Sequence, residues 1–202
     1  MRQGRCWVVS AVVALAATQA AAQEVTVPPD TAEKPGIEFL AFVGGNVPLV
    51  HLNEDPSARF RPGFAGGVGL MYDVEKLLAL RADVSFAKSN ISHGDLGAAL
   101  NSDSWNRIMT GFDMVVRVNL LKPVTTYFTV GFGAIRFSES GGRTPVRGAG
   151  RLGGGFRYPV GSKLNLFGQA QGWMYHFDST RFAYFNKAQF DLTISTGISA
   201  RF

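Results

Sequence analysis

The sequence is poor in the residues that build disulfides, metal centres and nucleophilic sites. It holds one cysteine, Cys6, and three histidines among 202 residues. Because Cys6 lies in an N-terminal segment that we expect to be removed, the remaining chain has no thiol for a disulfide, a metal site or a nucleophile. This excludes cysteine chemistry, and we predict neither a metal site nor a cofactor.

Long hydrophobic runs are also missing after the first 22 residues. No later run approaches the ~20 apolar residues that a membrane-spanning helix requires. The one early run is shorter than that, follows Arg2 and Arg5, and precedes the small residues Ala20 to Ala22, a pattern typical of a cleaved signal peptide. A signal anchor remains the alternative. We expect a signal peptide over residues 1–22, a flexible lead-in over 23–35 and a single domain over 36–202.

The charge that remains after cleavage is small. Without Arg2 and Arg5, 20 − 2 = 18 basic residues face 15 acidic ones, which leaves a formal charge of +3. The charges are interspersed and form no basic run. An exported protein with this pattern is not expected to bind nucleic acid.

What recurs in the sequence is alternation. In "QFDLTISTGISARF", every second residue from Phe190 to Phe202 is mostly apolar, whereas the alternate set from Gln189 to Arg201 is hydrophilic. The segments "LLALRADVSF" and "RIMTGFDMVVRVN" show the same period of two. Since successive side chains of a strand point to opposite faces, these segments predict amphipathic β-strands.

Applied to the whole domain, this pattern predicts an all-β fold with eight strands. Each strand is close to the ~9–11 residues that a tilted strand needs to cross a bilayer. Short and long connections alternate, which is typical of an eight-stranded antiparallel up-and-down transmembrane β-barrel with both ends of the domain on the short-turn side. Tyr72, Tyr158 and Phe202 are expected in an aromatic girdle on that side, and Phe86 and Trp105 near the opposite rim. The predicted strands are 36–44, 63–73, 77–88, 106–119, 125–137, 147–159, 163–175 and 189–202.

The direction in which the barrel faces is not fixed by alternation alone. A soluble lipocalin-like lipid carrier, with apolar residues inside, has the same pattern. The export signal, the lack of cysteine and the aromatic residues at strand ends favour the membrane barrel. In that case charges of both signs fill a narrow lumen, in a network of Arg81, Asp83, Arg107, Asp113, Arg117, Asp191 and Arg201.

Eight strands leave an interior only wide enough for side chains to fill, so we expect a closed lumen and not a channel. The expected ion pairs are Arg81 with Asp83, Asp113 with Arg117, and Asp191 with Arg201. Arg136 is an exception, because it falls on an otherwise apolar face. It is expected either to lie above the bilayer or to be turned by a β-bulge.

The terminal residues Ile198, Ala200 and Phe202 resemble the C-terminal signal by which the barrel assembly machinery recognises Gram-negative outer-membrane proteins. With "TYFTVGFGAIRF" and "GAGRLGGGFRYPV", the chain resembles the small eight-stranded outer-membrane β-barrel family of the OmpA transmembrane domain and OmpX. The resemblance implies a monomer in the bacterial outer membrane, in contact with outer-membrane lipids and lipopolysaccharide. It is weak for function, because this family hosts several functions.

Three features of the sequence are candidate functional sites. "GAGRLG" matches a dinucleotide fingerprint, but the segment continues as a strand where that motif requires a helix.

The histidines His51, His93 and His176 would suit a lipid A deacylase or acyltransferase on the same barrel, although no local signature of either enzyme surrounds them. We therefore predict that the protein is not an enzyme and has a structural or surface-interaction role through its long loops. Loop residues that could bind lipopolysaccharide phosphates, or simply form a solvated face, are Arg59, Arg61, Arg143, Arg147, Arg181 and Lys187.

Overall fold

The computed structural model describes residues 36–50, 59–92, 104–121, 123–139, 144–177 and 188–202. All regular secondary structure in these ranges is β-strand. Over the same ranges, no helix is long and apolar enough to cross a membrane. The expected signal peptide and lead-in lie outside the described residues and stay predictions.

Eight long strands close into an antiparallel barrel, which confirms the predicted fold class. Each long strand pairs with the next one along the chain, and the first pairs with the last, from Glu38 opposite Arg201 to Pro48 opposite Asp191. Among the described residues, each of the eight long strands is paired on both sides, as the hydrocarbon core of a membrane requires. The strands are β1 (Ile37–Pro48), β2 (Arg59–Phe60), β3 (Gly63–Glu75), β4 (Leu78–Ser92), β5 (Ser104–Leu121), β6 (Val124–Glu139), β7 (Val146–Pro159), β8 (Leu164–His176) and β9 (Ala188–Arg201).

The strands extend further toward the long loops than the sequence predicted. β1 continues to Pro48 and β4 to Ser92, and the two-residue strand β2 pairs with β4 inside the expected loop 45–62. Toward the loop end, outward positions such as Lys88 and Asn90 are polar and exposed while the inward Ser89 stays buried, so the apolar–polar alternation of the sequence fades although the backbone pairing continues.

The two faces of each strand meet different surroundings. In β4, Arg81, Asp83 and Ser85 are buried inside the ring, whereas Val84 and Phe86 are exposed on its outer wall. A soluble barrel would have the opposite arrangement. The polar-inside, apolar-outside arrangement is that of a transmembrane barrel, so the lipocalin-like alternative is wrong.

The structure corrects the expected position of Trp105 and decides between the two alternatives for Arg136. Phe86 lies on the outer wall as expected, but Trp105 is only 1% exposed and lies inside the barrel. Trp105 lies on the same face of β5 as Arg107 and Asp113, and it was misplaced because the predicted strand began one residue later, at 106, so the alternation was not continued to it. Arg136 is exposed on the outer wall, and the pairing of β5 with β6 runs without a shift from Trp105 to Val118, so no bulge turns it.

Candidate functional site

The middle of the lumen is filled by a buried network of arginines and aspartates. Arg81 Nη2 lies 2.6 Å from Asp113 Oδ2, and Arg151 Nη2 lies 2.8 Å from Asp83 Oδ2 and 3.3 Å from Asp113 Oδ2. All four side chains are nearly inaccessible to solvent. Loss of any one of these four charges would leave another buried charge without a partner, which is costly. The network therefore stabilises the contacts between β4, β5 and β7 only when all four are present.

Two glutamines extend this central network to the other side of the barrel. Gln169 Oε1 on β8 accepts a hydrogen bond from Arg81 Nη1 at 2.7 Å, and Gln171 Nε2 donates to Asp113 Oδ2 at 3.1 Å. Gln169 Nε2 in turn donates to the Ser195 hydroxyl on β9 at 3.1 Å. The polar contacts therefore cross the lumen, linking strands that are not neighbours in the sheet.

The position of the Arg151 side chain depends on the neighbouring Trp173 ring and on the glycine at position 111 of the facing strand. Its guanidinium carbon lies 4.2 Å from the centre of the Trp173 ring, within the range of a cation–π contact. A Cβ atom at Gly111, on the facing wall, would overlap Arg151 Nη1. Gly111 therefore leaves the space that lets the guanidinium lie flat across the lumen.

Sequence reasoning missed Arg151. It lies within "GAGRLG", which forms part of strand β7, in agreement with the rejection of a dinucleotide site. Glycines occupy both faces of β7, so the inward position of its arginines is not visible as alternation. The only available signal is that Arg151 and Arg157 share one face of the predicted strand.

Above this network, toward the long loops, a second ion pair joins opposite walls. Arg107 on β5 pairs with Asp191 on β9, and its Nη2 also donates to Asn46 Oδ1 at 2.7 Å. The Tyr175 hydroxyl donates to Asp191 Oδ2 at 3.1 Å. Both charged side chains are at most 1% exposed, so the pair is sealed from water on every side.

Five aromatic side chains cover this pair and form what we call the aromatic cap. Their ring centres lie 5.0 to 6.4 Å apart, and the Phe60 ring, carried by the short strand β2, is 5.1 Å from the Arg107 guanidinium carbon. Edge and offset contacts of this kind favour one fixed arrangement of the rings. The members of the aromatic cap are Phe60, Trp105, Phe137, Tyr175 and Phe177.

The short-turn end of the lumen is closed by a further set of contacts. Asp73 pairs with Arg117 and with Arg201, the latter at 3.2 Å, and Arg157 Nη1 lies 2.9 Å from Glu38 Oε2. Between these pairs and the central network lies an apolar cluster of Leu40, Met71, Ala79, Val115, Tyr127 and Phe167. The interior thus consists of successive polar and apolar layers.

Two of the three expected ion pairs are wrong. Arg117 pairs with Asp73 instead of Asp113, and Asp191 pairs with Arg107 instead of Arg201. Residues four apart on a strand are separated by about 13 Å and residues ten apart by about 33 Å, too far for an ion pair. The third pair, Arg81 with Asp83, is present at 3.2 Å.

The expected loop-binding residues are only partly described. Arg61 is exposed next to β2, Arg59 lies on β2, and Arg147 is half-buried near the start of β7. Arg143, Arg181 and Lys187 lie outside the described residues, and so do His51 and His93. His176 is exposed at the loop end of β8.

At the short-turn end, Ile198 and Phe202 are exposed and Ala200 is half-buried. By alternation along β9, these three residues lie on its outer face. Their role as an assembly signal stays a prediction. Within the described ranges, no group of three or more histidine, cysteine, aspartate or glutamate side chains could hold a metal ion.

Comparison with known families decides the identity of the fold. Residues 8–202 match the family described as outer membrane protein beta-barrel domain. The chain belongs to this family. An outer membrane protein beta-barrel resides in the bacterial outer membrane, and the apolar outer wall of this barrel is the surface that such a location requires.

Solved structures of other outer-membrane proteins share this fold. Neisserial surface protein A is 15% identical with a TM-score of 0.54, over 86% of this chain and 100% of that chain. A major outer membrane protein from Thermus thermophilus is 17% identical with a TM-score of 0.52, over 82% and 99%. The N-terminal barrel of Pseudomonas aeruginosa OprF is 12% identical with a TM-score of 0.50, over 83% and 97%.

At these identities the likeness shows the fold alone. No curated protein sequence matches the chain at a significant level. What this outer membrane protein beta-barrel does must therefore be argued from its own residues.

Proposed function

We propose that this outer membrane protein beta-barrel is a closed, non-catalytic anchor that acts at the cell surface through the loops at its outer end. The observation that carries the proposal is the filled interior. From the aromatic cap down to the Asp73 and Glu38 ion pairs, layers of buried side chains lie in the path that a solute would follow.

The cost of separating the buried ion pairs favours a lumen that stays closed over one that opens and closes. A solute could pass only if buried pairs such as Arg107 with Asp191 separated, and each separation would leave a charge without its partner in a poorly hydrated space. Eight strands also give a barrel whose interior side chains can fill completely. With the lumen closed, the long loops are the part of the protein free to meet other molecules.

The proposed partners follow from the location and the loop charges. Outer-membrane lipids contact the apolar wall, and lipopolysaccharide phosphates would accept hydrogen bonds from exposed basic residues at the loop end such as Arg61. The outward-facing Ile198, Ala200 and Phe202 would be read by the barrel assembly machinery during insertion. We propose a monomer, because a closed barrel satisfies its backbone hydrogen bonds without a second copy.

The non-catalytic part of the proposal predicts that lipid A is not modified. Outer membranes prepared with and without expression of the protein are expected to give the same mass spectrum of lipid A. The strongest alternative is a deacylase or acyltransferase that uses the exposed His176 on the outer side of β8.

Gain or loss of an acyl chain on expression would contradict the proposal. A His176→Ala variant then identifies the source of the change. If the spectrum returns to that of cells without the protein while the variant still folds, His176 belongs to an active site.

A further inference from the structure

Phe60 reaches the lumen because the chain carries one extra residue between it and the start of the β3–β4 pairing. From the pair of Phe64 with Lys88 to the pair of Phe60 with Ile91, the chain advances four residues on the side of Phe60 and three on β4. One extra residue on one side of an antiparallel pair is a β-bulge, and it reverses the face on which the side chains beyond it lie. Phe64 is therefore 60% exposed on the outer wall, whereas Phe60 is 1% exposed inside the barrel.

The segment that carries Phe60, residues 59–62, is attached to the barrel on one side only, and we call it the strap. Its strand β2 pairs with β4 through two residue pairs, and the Arg61 amide donates to the Asn90 carbonyl at 2.7 Å. In the described part of the chain β2 pairs with no other strand. Pro62 has no amide hydrogen to donate. A segment held by so few backbone hydrogen bonds opens at a lower free energy than the eight long strands.

The side chains around Phe60 do not depend on the strap, because long strands carry them. The Trp105 ring on β5 lies 6.0 Å from the Phe60 ring, and the Phe137 ring on β6 lies 6.4 Å from it at an angle of 18°. Arg107, also on β5, forms the floor, with its guanidinium carbon 5.1 Å from the centre of the Phe60 ring. We call the space that Trp105, Phe137 and Arg107 enclose the ring seat.

The floor of the ring seat holds a hydrogen-bond donor that Phe60 does not satisfy. Arg107 Nη1 donates to Asp191 and Nη2 donates to Asn46 and Ser89, but Nε is buried without a partner in the described structure. A buried donor without an acceptor is costly. Because the ring seat adjoins this guanidinium, an oxygen attached to a ring in the seat could reach Nε. The hydrocarbon side chain of Phe60 has no such acceptor.

We infer that the ring seat is a binding site for a small monocyclic phenol, which enters when the strap opens and displaces Phe60. The ring of the ligand packs on Trp105 and Phe137 and makes the cation–π contact with Arg107, and the phenol oxygen accepts a hydrogen bond from Arg107 Nε. The site lies on the loop side of the ion pair between Arg107 and Asp191, so its occupation leaves the lumen below closed. The inference goes beyond the proposed function and does not depend on it.

The test is a fluorine NMR titration with 4-fluorophenol of the protein without its expected signal peptide, in detergent micelles. A disulfide between positions 59 and 92 locks the strap, because Arg59 and Ser92 are Cα partners and the Cα spacing of such a pair suits a disulfide. Cys6 is the only native cysteine, so R59C/S92C then carries the introduced pair alone. Since binding requires an open strap, oxidised R59C/S92C is expected to bind at least about tenfold more weakly than its reduced form.

Two comparisons separate opening of the strap from general effects. L78C/V116C joins paired residues of β4 and β5 at the short-turn end and is expected to bind equally well when oxidised and when reduced. Phe60→Ala removes the competing side chain and is expected to bind 4-fluorophenol about tenfold more tightly than the wild type. The same variant should bind fluorobenzene, which has no hydroxyl group, about fivefold more weakly than 4-fluorophenol, the usual effect of one hydrogen bond.

Four results would overturn the inference. They are no saturable binding of 4-fluorophenol to the wild type, equal binding by oxidised and reduced R59C/S92C, an equal loss on oxidation of L78C/V116C, or equal affinity of the Phe60→Ala variant for the two ligands. Circular dichroism first establishes that each variant is folded. None of these results requires an open lumen, so failure here leaves the closed anchor standing.

Discussion

Replacement of Arg107 by methionine is expected to lower the free energy of unfolding by about 3–5 kcal/mol, the usual cost of breaking a buried ion pair by removing one partner. Methionine keeps most of the length of the side chain but not its charge. Asp191, which is 1% exposed, would then retain a hydrogen bond from Tyr175 but no cation. Urea titration of the protein refolded into lipid vesicles measures the change.

A double variant separates the ion pair from simple packing. Because a buried pair is often close to neutral when both partners become apolar, R107M/D191L is expected to recover most of the lost stability. If R107M alone left the free energy of unfolding unchanged, this layer would not be a sealed ion pair, since only a water-filled lumen would hydrate the remaining Asp191 carboxylate.

Replacement of Val130 by arginine is expected to lower the free energy of unfolding by about 2–4 kcal/mol, because it places a charge near the middle of the lipid-facing wall. Val130 is 52% exposed on the outer face and lies opposite Met114 and Leu152, both of which are also exposed there. The same unfolding titration in vesicles measures the cost.

The control is Ser138→Arg, on the same face of the same strand but at its loop end. There the arginine side chain reaches lipid headgroups and water, so the free energy of unfolding is expected to fall by only about 0–1 kcal/mol. Equal costs at the two positions, or a larger cost at Ser138, would show that the apolar belt has been placed at the wrong level of the barrel.

The fold could be predicted because its strongest determinant is local. In β4 and β9 the polar and apolar faces follow strict alternation, and the buried and exposed residues observed on them are those that the pattern predicts. Strand number and antiparallel order follow from the same pattern with the lengths of the connections. These features need no knowledge of which residues face each other across the lumen.

The composition of the lumen was harder to predict, because ion pairing depends on register and barrel closure. Asp73 and Glu38 were not expected in the network, yet they pair with Arg117 and Arg157 across the barrel. The register that brings such residues together is set by contacts between strands, which alternation within one strand does not encode. The inward position of Trp105 was missed for a different reason, since it shares the lumen face of β5 with Arg107 but lies just before the predicted start of that strand.

Two cations on the outer wall, Lys88 and Arg136, show a further limit of sequence reasoning. Arg136 was recognised only as an exception on an apolar face, and Lys88 was not singled out. Their relationship becomes visible once β5 is known to lie between β4 and β6, which brings two cations separated by 48 residues to one area of the wall. A basic patch of this kind is a property of the closed barrel and not of any segment.

The most direct test of the closed anchor is single-channel recording of the purified protein in planar lipid bilayers. A lumen filled from the aromatic cap to the short-turn ion pairs predicts no large and stable openings, with a known porin in the same bilayer as the positive control. Reproducible, long-lived openings that carry a steady ionic current would contradict the account, because they would require an open aqueous path where the structure places buried side chains.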